Sequence, residues 1–203
     1  MRTSVVLLLA GCATTAPGGD AVLSNAVPGS GVKSSALFVI EPGSLGPITG
    51  TTPATQQAIQ DLVGSRYVVK GIDDRGIEYH VFLNDELLFY VIPNDDGSLF
   101  NVHCTSNNVA ISDHPDWIIG SPLTNEQPID TCECWGSHPM CFHAGEHVAV
   151  GFRVSCDNLD TPAKRKSLLG VPIQRAVWNP RPFGDANGGT TRPQNSKSIL
   201  TPP

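Results

Sequence analysis

Aromatic residues make up only 6% of the 203-residue chain, and basic residues are outnumbered: 13 Lys and Arg against 19 Asp and Glu, for a net charge of −6. A nucleic-acid-binding domain ordinarily shows a basic stripe, and this chain has none, so nucleic acid is not an expected partner. Its one basic run, Lys164-Arg165-Lys166, is short and reads as a solvated loop. No apolar run approaches the roughly 20 residues that a membrane-spanning helix requires. No internal repeat with a period of about 20–50 residues is visible. Chemical signatures are equally scarce. There is no Gly-x-Ser-x-Gly nucleophile elbow and no Gly-x-x-x-x-Gly-Lys phosphate loop. Asn94-Asp95-Asp96-Gly97 lacks the glutamate that closes an EF-hand calcium loop, and reads as a tight turn.

What is present begins at the N-terminus. Arg2 provides a positive start, Val5 to Ala10 a short apolar core, and Leu9-Ala10-Gly11-Cys12 a run of small residues ending in cysteine. That order of charge, apolar core and small residues is the layout of a secretion signal. Leu9-Ala10-Gly11-Cys12 resembles the lipobox of bacterial lipoproteins. The resemblance implies cleavage of residues 1–11, a diacylglycerol thioether and an amide-linked acyl chain such as palmitate on Cys12, and membrane attachment through that anchor. Several acyl chains hold a protein to a bilayer where one alone does not. Ala13 after the cysteine implies, by the same resemblance, sorting to the outer membrane, facing periplasm or cell surface.

Residues 12–35 are rich in Ala, Thr, Gly, Ser and Pro without periodicity, the composition of a flexible tether. Residues 181–203 have a similar composition and read as a disordered tail. Between them, residues 36–180 suffice for one domain with one core.

The expected fold of that domain is α+β: mainly antiparallel sheet with one N-terminal helix. Ala36 to Ile40 reads as a first strand. Thr52 before Pro53 is a helix-start signal, with Ala54, Ala58, Ile59, Leu62 and Val63 at helical spacing and Gly64 as the stop. Strands follow at 66–72, 77–83, 86–92 and 99–104, separated by turn residues at 73–76, 84–85 and 93–97, with a continuation at 108–111. Strands at 146–156 and 171–178 complete the set, the last ending in Trp178 as a buried anchor.

Besides Cys12 there are five cysteines: Cys104, Cys132, Cys134, Cys141 and Cys156. In an exported chain they are first of all disulfide candidates. Five is odd, so one thiol stays free or pairs with another chain. The sequence does not fix the connectivity; the preferred expectation is Cys132 or Cys134 with Cys156, and Cys141 with a partner in its own loop. The rival reading is a zinc site, either structural or hydrolytic, built from Cys132, Cys134, Cys141, His143 and His147. Cys-x-Cys-x6-Cys-x-His is not a common finger spacing. His143-Ala144-Gly145-Glu146-His147 matches the H-x-x-E-H pattern of inverted zinc peptidases, but Gly145 weakens the helix it needs and no glutamate follows Glu146. His80 and His103 fall in strands, where a satisfied or exposed side chain is the ordinary outcome. Cys104 cannot serve as a nucleophile paired with His103, because neighbours in a strand point to opposite faces.

Taken together, the lipobox, Leu45-Gly46-Pro47-Ile48, the Cys-rich segment and Val177-Trp178-Asn179-Pro180 are similar to uncharacterised bacterial lipoproteins, myxobacterial ones among them. The resemblance implies location and architecture and assigns no catalytic residue. The functional expectation is a non-catalytic envelope lipoprotein that binds a partner protein, a glycan or a small molecule without a cofactor. A zinc-dependent protein is the alternative.

Overall fold

The computed structural model describes residues 36–74, 76–125, 129–136, 138–156 and 165–184. The signal segment, Cys12, the tether, Lys164 and the tail beyond Gly184 lie outside the described residues. The fold is α+β, mostly antiparallel sheet with a single α-helix, in one domain. Its elements are β1 (Phe38–Glu41), β2 (Ser44–Leu45), β3 (Ile48–Thr49), α1 (Gln56–Val63), β4 (Val68–Asp73), β5 (Ile77–Leu83), β6 (Glu86–Pro93), β7 (Leu99–Cys104), β8 (Val109–Ile111), β9 (Thr131–Trp135), β10 (His138–Phe142), β11 (Val148–Phe152) and β12 (Ile173–Trp178).

Two four-stranded meanders join edge to edge as one eight-stranded sheet in the order β4-β5-β6-β7-β12-β11-β10-β9, with every neighbouring pair antiparallel. The turn between β5 and β6 shows how local chemistry sets the register. Asn84 and Asp85 both adopt positive φ, 50° and 65°, as the tight two-residue hairpin turn requires. Leu83 and Glu86 are thereby brought opposite each other.

Two rungs of paired residues cross all eight strands. One runs Val69, Val81, Phe89, Cys104, Ala176, Val150, Cys141, Cys132. It faces the main core, closed on the other side by α1 and the small sheet β3-β2-β1-β8. The neighbouring rung runs Lys70, His80, Tyr90, His103, Val177, Ala149, Phe142, Thr131 and faces the opposite way. Because side chains alternate along a strand, this register sorts the main-core set from a second set that is polar and aromatic on β4 to β7 and apolar at Val177, Ala149 and Phe142.

The helix starts later than the sequence suggested. Thr55, not Thr52, is the N-cap, its side chain accepting from the Ala58 N–H, and Gly64 ends the helix as expected. Thr52 instead closes a turn with Thr49, its N–H donating to the Thr49 carbonyl at 3.0 Å and its Oγ1 accepting from the Thr49 N–H at 2.9 Å. Pro53 therefore lies before the helix.

Helix α1 also protects a sheet edge. The Gln60 side chain accepts from the Val69 N–H at 3.1 Å and donates to the Tyr67 carbonyl at 3.0 Å, while Gln56 donates to the Val69 carbonyl at 2.9 Å. Two glutamines thus occupy the backbone groups of β4 that another strand would otherwise pair with.

Three further differences have physical causes. The segment expected to continue β7 is β8, which instead pairs in parallel with β1. Thr105 and Ser106 turn the chain aside, both backbone N–H groups donating to the Leu88 carbonyl. The Cys-rich segment forms the β9–β10 hairpin, unmarked in the sequence because its alternation is broken by Pro139 and polar residues. The domain extends past the expected end at Pro180. Phe183 is fully buried against Phe142, and its backbone exchanges hydrogen bonds with Gly145 and Glu146.

Replacing Gln60 by Ala leaves the edge of β4 partly unsatisfied and is expected to cost about 1–3 kcal/mol in urea unfolding. Gln57→Ala, which loses an exposed contact to Asp61, should stay within about 0.5 kcal/mol of the parent. Equal effects of the two substitutions would refute the edge role.

Candidate functional site

In the β9–β10 hairpin, Cys132 and Cys141 face each other directly and form one disulfide. Cys134, two residues along the same strand, forms the second with Cys156. Cys104 is the free cysteine among the described residues and is fully buried within the core rung. Burial pushes its thiol pKa far above the ordinary value, so it packs as a small apolar residue with no thiolate to offer.

These pairings bear on the zinc set. The sulfurs of Cys132, Cys134 and Cys141 are all bonded to other sulfurs. Exposed His143 contacts Asp130 through Nδ1 at 2.8 Å, and His147 Nδ1 lies 2.8 Å from the Asn179 carbonyl oxygen. Among the described residues no group of three or more His, Cys, Asp or Glu side chains is arranged to hold a metal. The H-x-x-E-H segment is the loop between β10 and β11, with Gly145 at φ 89°, and not a helix. Glu146 turns away to His114, 2.7 Å from its Nε2. The structure therefore does not assemble the five residues of that alternative.

The polar chemistry lies elsewhere, on the outward rung of the large sheet. The His80 ring stacks on Tyr90 with centroids 5.1 Å apart, and Tyr90 stacks on His103 at 4.8 Å. Lys70 lies over the Phe82 ring at one end. Glu78 holds His80 Nε2 at 2.9 Å. Cross-strand packing of this kind follows from residues directly opposite one another in antiparallel strands.

The sheet curls over this face. His103 on β7 and Trp135 on β9 are four strands apart, which in a flat sheet would separate them by about 19 Å. Their ring centroids are instead 6.3 Å apart. Trp135 also approaches Phe183, which stacks on Phe142, so the hollow beyond His103 is filled by a second small core with Met140, Ala149 and Val177. Half-buried Arg175, on β12, lies on the same sheet face one outward position along from Val177, the cross-strand partner of His103, and its charge acts on both Tyr90 and His103. Gly151 leaves room for it: a Cβ there would sit 2.9 Å from Arg175 Cγ and 2.6 Å from Met140 Sδ.

Two polar atoms buried on this face have no hydrogen-bond partner among the described residues, Nδ1 of His103 and Oδ1 of Asn101. Burial, reinforced by the Arg175 charge, drops the His103 pKa to about 3 and keeps the ring neutral. Burial raises the Tyr90 pKa, and Arg175 partly opposes the shift. Chemically, the cluster is a set of neutral and cationic hydrogen-bonding groups beside aromatic surface. It is suited to binding, and it lacks an aligned nucleophile and base: Cys104, adjacent in sequence to His103, points into the opposite core, as the strand geometry required.

None of Tyr90, Trp135 or Arg175 stood out in the sequence. The available signal was the recurrence of His80, Tyr90 and His103 at outward positions of three successive strands. It becomes legible only once the register is known.

Fold and site together describe an antiparallel α+β domain, stapled by two disulfides, with a half-buried aromatic and cationic cluster on one sheet face. No helix among the described residues is long and apolar enough to cross a membrane. No protein-family model matches the chain, and no curated protein does. Among solved structures it is similar to the uncharacterized protein yfeY from Escherichia coli, at 17% identity and a TM-score of 0.51, with 68% of this chain and 97% of that one covered. At this identity the likeness shows a shared fold.

Two measurements check this description. Peptide mapping without reductant should recover Cys132–Cys141 and Cys134–Cys156 linkages, with Cys104 alkylated only after unfolding; labelling of Cys104 in the native protein would contradict its burial. For His103, the folded pKa lies below the unfolded value of about 6.5. The unfolded chain therefore binds a proton first, and stability present above pH 6.5 falls away as the pH drops toward 3. His103→Phe should flatten that decline when urea midpoints are compared at pH 7 and pH 4.5, and an unchanged slope would show that other groups cause it.

Proposed function

We propose that this chain is a bacterial lipoprotein, held to the outer membrane by acyl chains on Cys12. Its folded domain serves in the cell envelope as a non-catalytic binding or structural module. The observation that carries this reading is Leu9-Ala10-Gly11-Cys12 placed after Arg2 and a short apolar run. Oxidised cysteines support it independently, since disulfides persist in extracytoplasmic compartments and are rare in the cytosol. The antiparallel fold shared with yfeY adds architecture and no activity. The partner classes are an envelope protein, a glycan or a small molecule, and of these the half-buried cluster around Tyr90 and Arg175 suits a small molecule best.

The zinc reading is not carried forward, because its three thiolate donors are engaged in disulfides.

The test is expression of the full chain in a Gram-negative host fed an alkyne analogue of palmitate. Incorporation into the parent chain, its loss in Cys12→Ser, and co-sedimentation of the parent with outer membranes are expected. A parent chain that is exported but never acylated, or retained uncleaved in the cytosol, would refute the proposal.

A further inference from the structure

We propose that the curled face of the large sheet holds a binding site for a carboxylate carried on an apolar chain, with Arg175 as its anchor and Tyr90, His103 and Trp135 around it. This deepens the binding-module reading and rests on it for its biological meaning, but not for its test.

The first argument is charge. Among the described residues no Asp or Glu forms an ion pair with Arg175. The two carboxylates nearest in the pattern are already engaged: Glu78 with His80, and Glu133, on the same rung as Arg175, Gly151 and Met140, with the Trp135 indole N–H. A half-buried guanidinium on the Tyr90 and His103 face, with no carboxylate partner among the described residues, offers its planar fork to an external carboxylate, the geometry that arginine recognises best.

The second argument is unmet hydrogen bonding. His103 Nδ1 is buried without a hydrogen-bond partner among the described residues, and such groups are costly unless satisfied. His103 is sandwiched between Tyr90 and Trp135. A carboxylate at Arg175 accepts from the guanidinium and the Tyr90 hydroxyl. It also places an acceptor beside the neutral imidazole, which presents one ring N–H.

The third argument is the shape of the surroundings. Curling brings the half-buried ring of Trp135 to within 6.3 Å of His103, and half-buried Phe82 and Ile92 continue the same face on the other side of Tyr90. Apolar surface on both flanks of one cation is the layout for an amphiphilic anion; a sugar, by contrast, needs an open aromatic face. Both faces of the Tyr90 ring are covered by histidine rings, each of which turns one face to it. Gly151 has no alternative here, since any side chain would displace Arg175.

The experiment titrates the purified full-length protein with octanoate, 1-octanol and acetate, read by NMR at the Arg175 Nε–H and the Trp135 indole N–H. Octanoate is expected to give saturable shifts at both groups. Octanol and acetate should each bind weaker by about tenfold or more, because one lacks the charge and the other the chain. Arg175→Met should weaken octanoate by a similar factor and leave octanol unchanged, whereas Tyr90→Phe should weaken octanoate by a few-fold. Equal binding of octanoate and octanol would overturn the proposal, as would no binding of octanoate or unaltered binding by Arg175→Met. Should Arg175→Met fail to fold, Arg175→Lys and Tyr90→Phe decide the matter on the same readout: unchanged octanoate affinity in both overturns it. Failure of Cys12 acylation would not alter these titrations, so the two proposals fail separately.

Discussion

The domain depends on one register. Val69, Val81, Phe89, Cys104, Ala176, Val150, Cys141 and Cys132 lie side by side across eight strands, and their side chains form one wall of the main core. A slip of one residue in β4 to β7 would send the apolar set of that strand outward and bring Lys70, His80, Tyr90 or His103 inward, and a slip in β12 to β10 would exchange the main core for the smaller one around Phe142. Burying a strand's worth of such residues stabilises by several kcal/mol at about 25 cal/mol per Å², and desolvating a lysine or histidine would oppose it. The register is therefore held by both faces at once. Cys104 lies in the middle of this wall between Phe89 and Ala176, where it packs as a small apolar residue.

The same constraint produces the candidate site. Once the inward rung is set, the outward one follows, and His80, Tyr90 and His103 must stack. Curvature then decides what else meets them. Trp135 arrives from four strands away, and Phe183 arrives from beyond the last strand. Arg175 packs over Gly151 on the same face. The two disulfides act at the far edge, where β9 has a neighbour on one side only. Cys132–Cys141 ties that strand to β10, and Cys134–Cys156 ties it to the chain leaving β11. Each adds about 3 kcal/mol by restricting the unfolded chain. At the opposite edge, Gln56 and Gln60 of α1 do with hydrogen bonds what the disulfides do covalently, so both ends of the sheet are closed by different chemistry.

Local pattern carried much of the fold. The strands at 77–83 and 99–104 have the bounds that alternation and turn residues indicate, and the other expected strands lie within a few residues of the observed ones, whereas the two-residue strands β2 and β3 were not expected. The helix was found with its stop at Gly64, but its start was misplaced because Thr52 and Pro53 imitate a cap. The hairpin of β9 and β10 was hidden by its cysteines, which drew attention to metal and disulfide chemistry and away from strand pairing. Phe183 was lost in a stretch of Pro and Gly typical of a tail.

Composition, alternation and turn chemistry by themselves determined that this chain forms one β-rich antiparallel domain with a single helix, because those signals act over a few neighbouring residues. Which cysteines meet, that the chain past β7 joins a second sheet, and that Arg175 shares a sheet face with Tyr90 and a buried His103 were decided by the tertiary structure. These contacts join residues far apart in the chain, through a sheet order that reverses after β7 and a curl that no local pattern encodes.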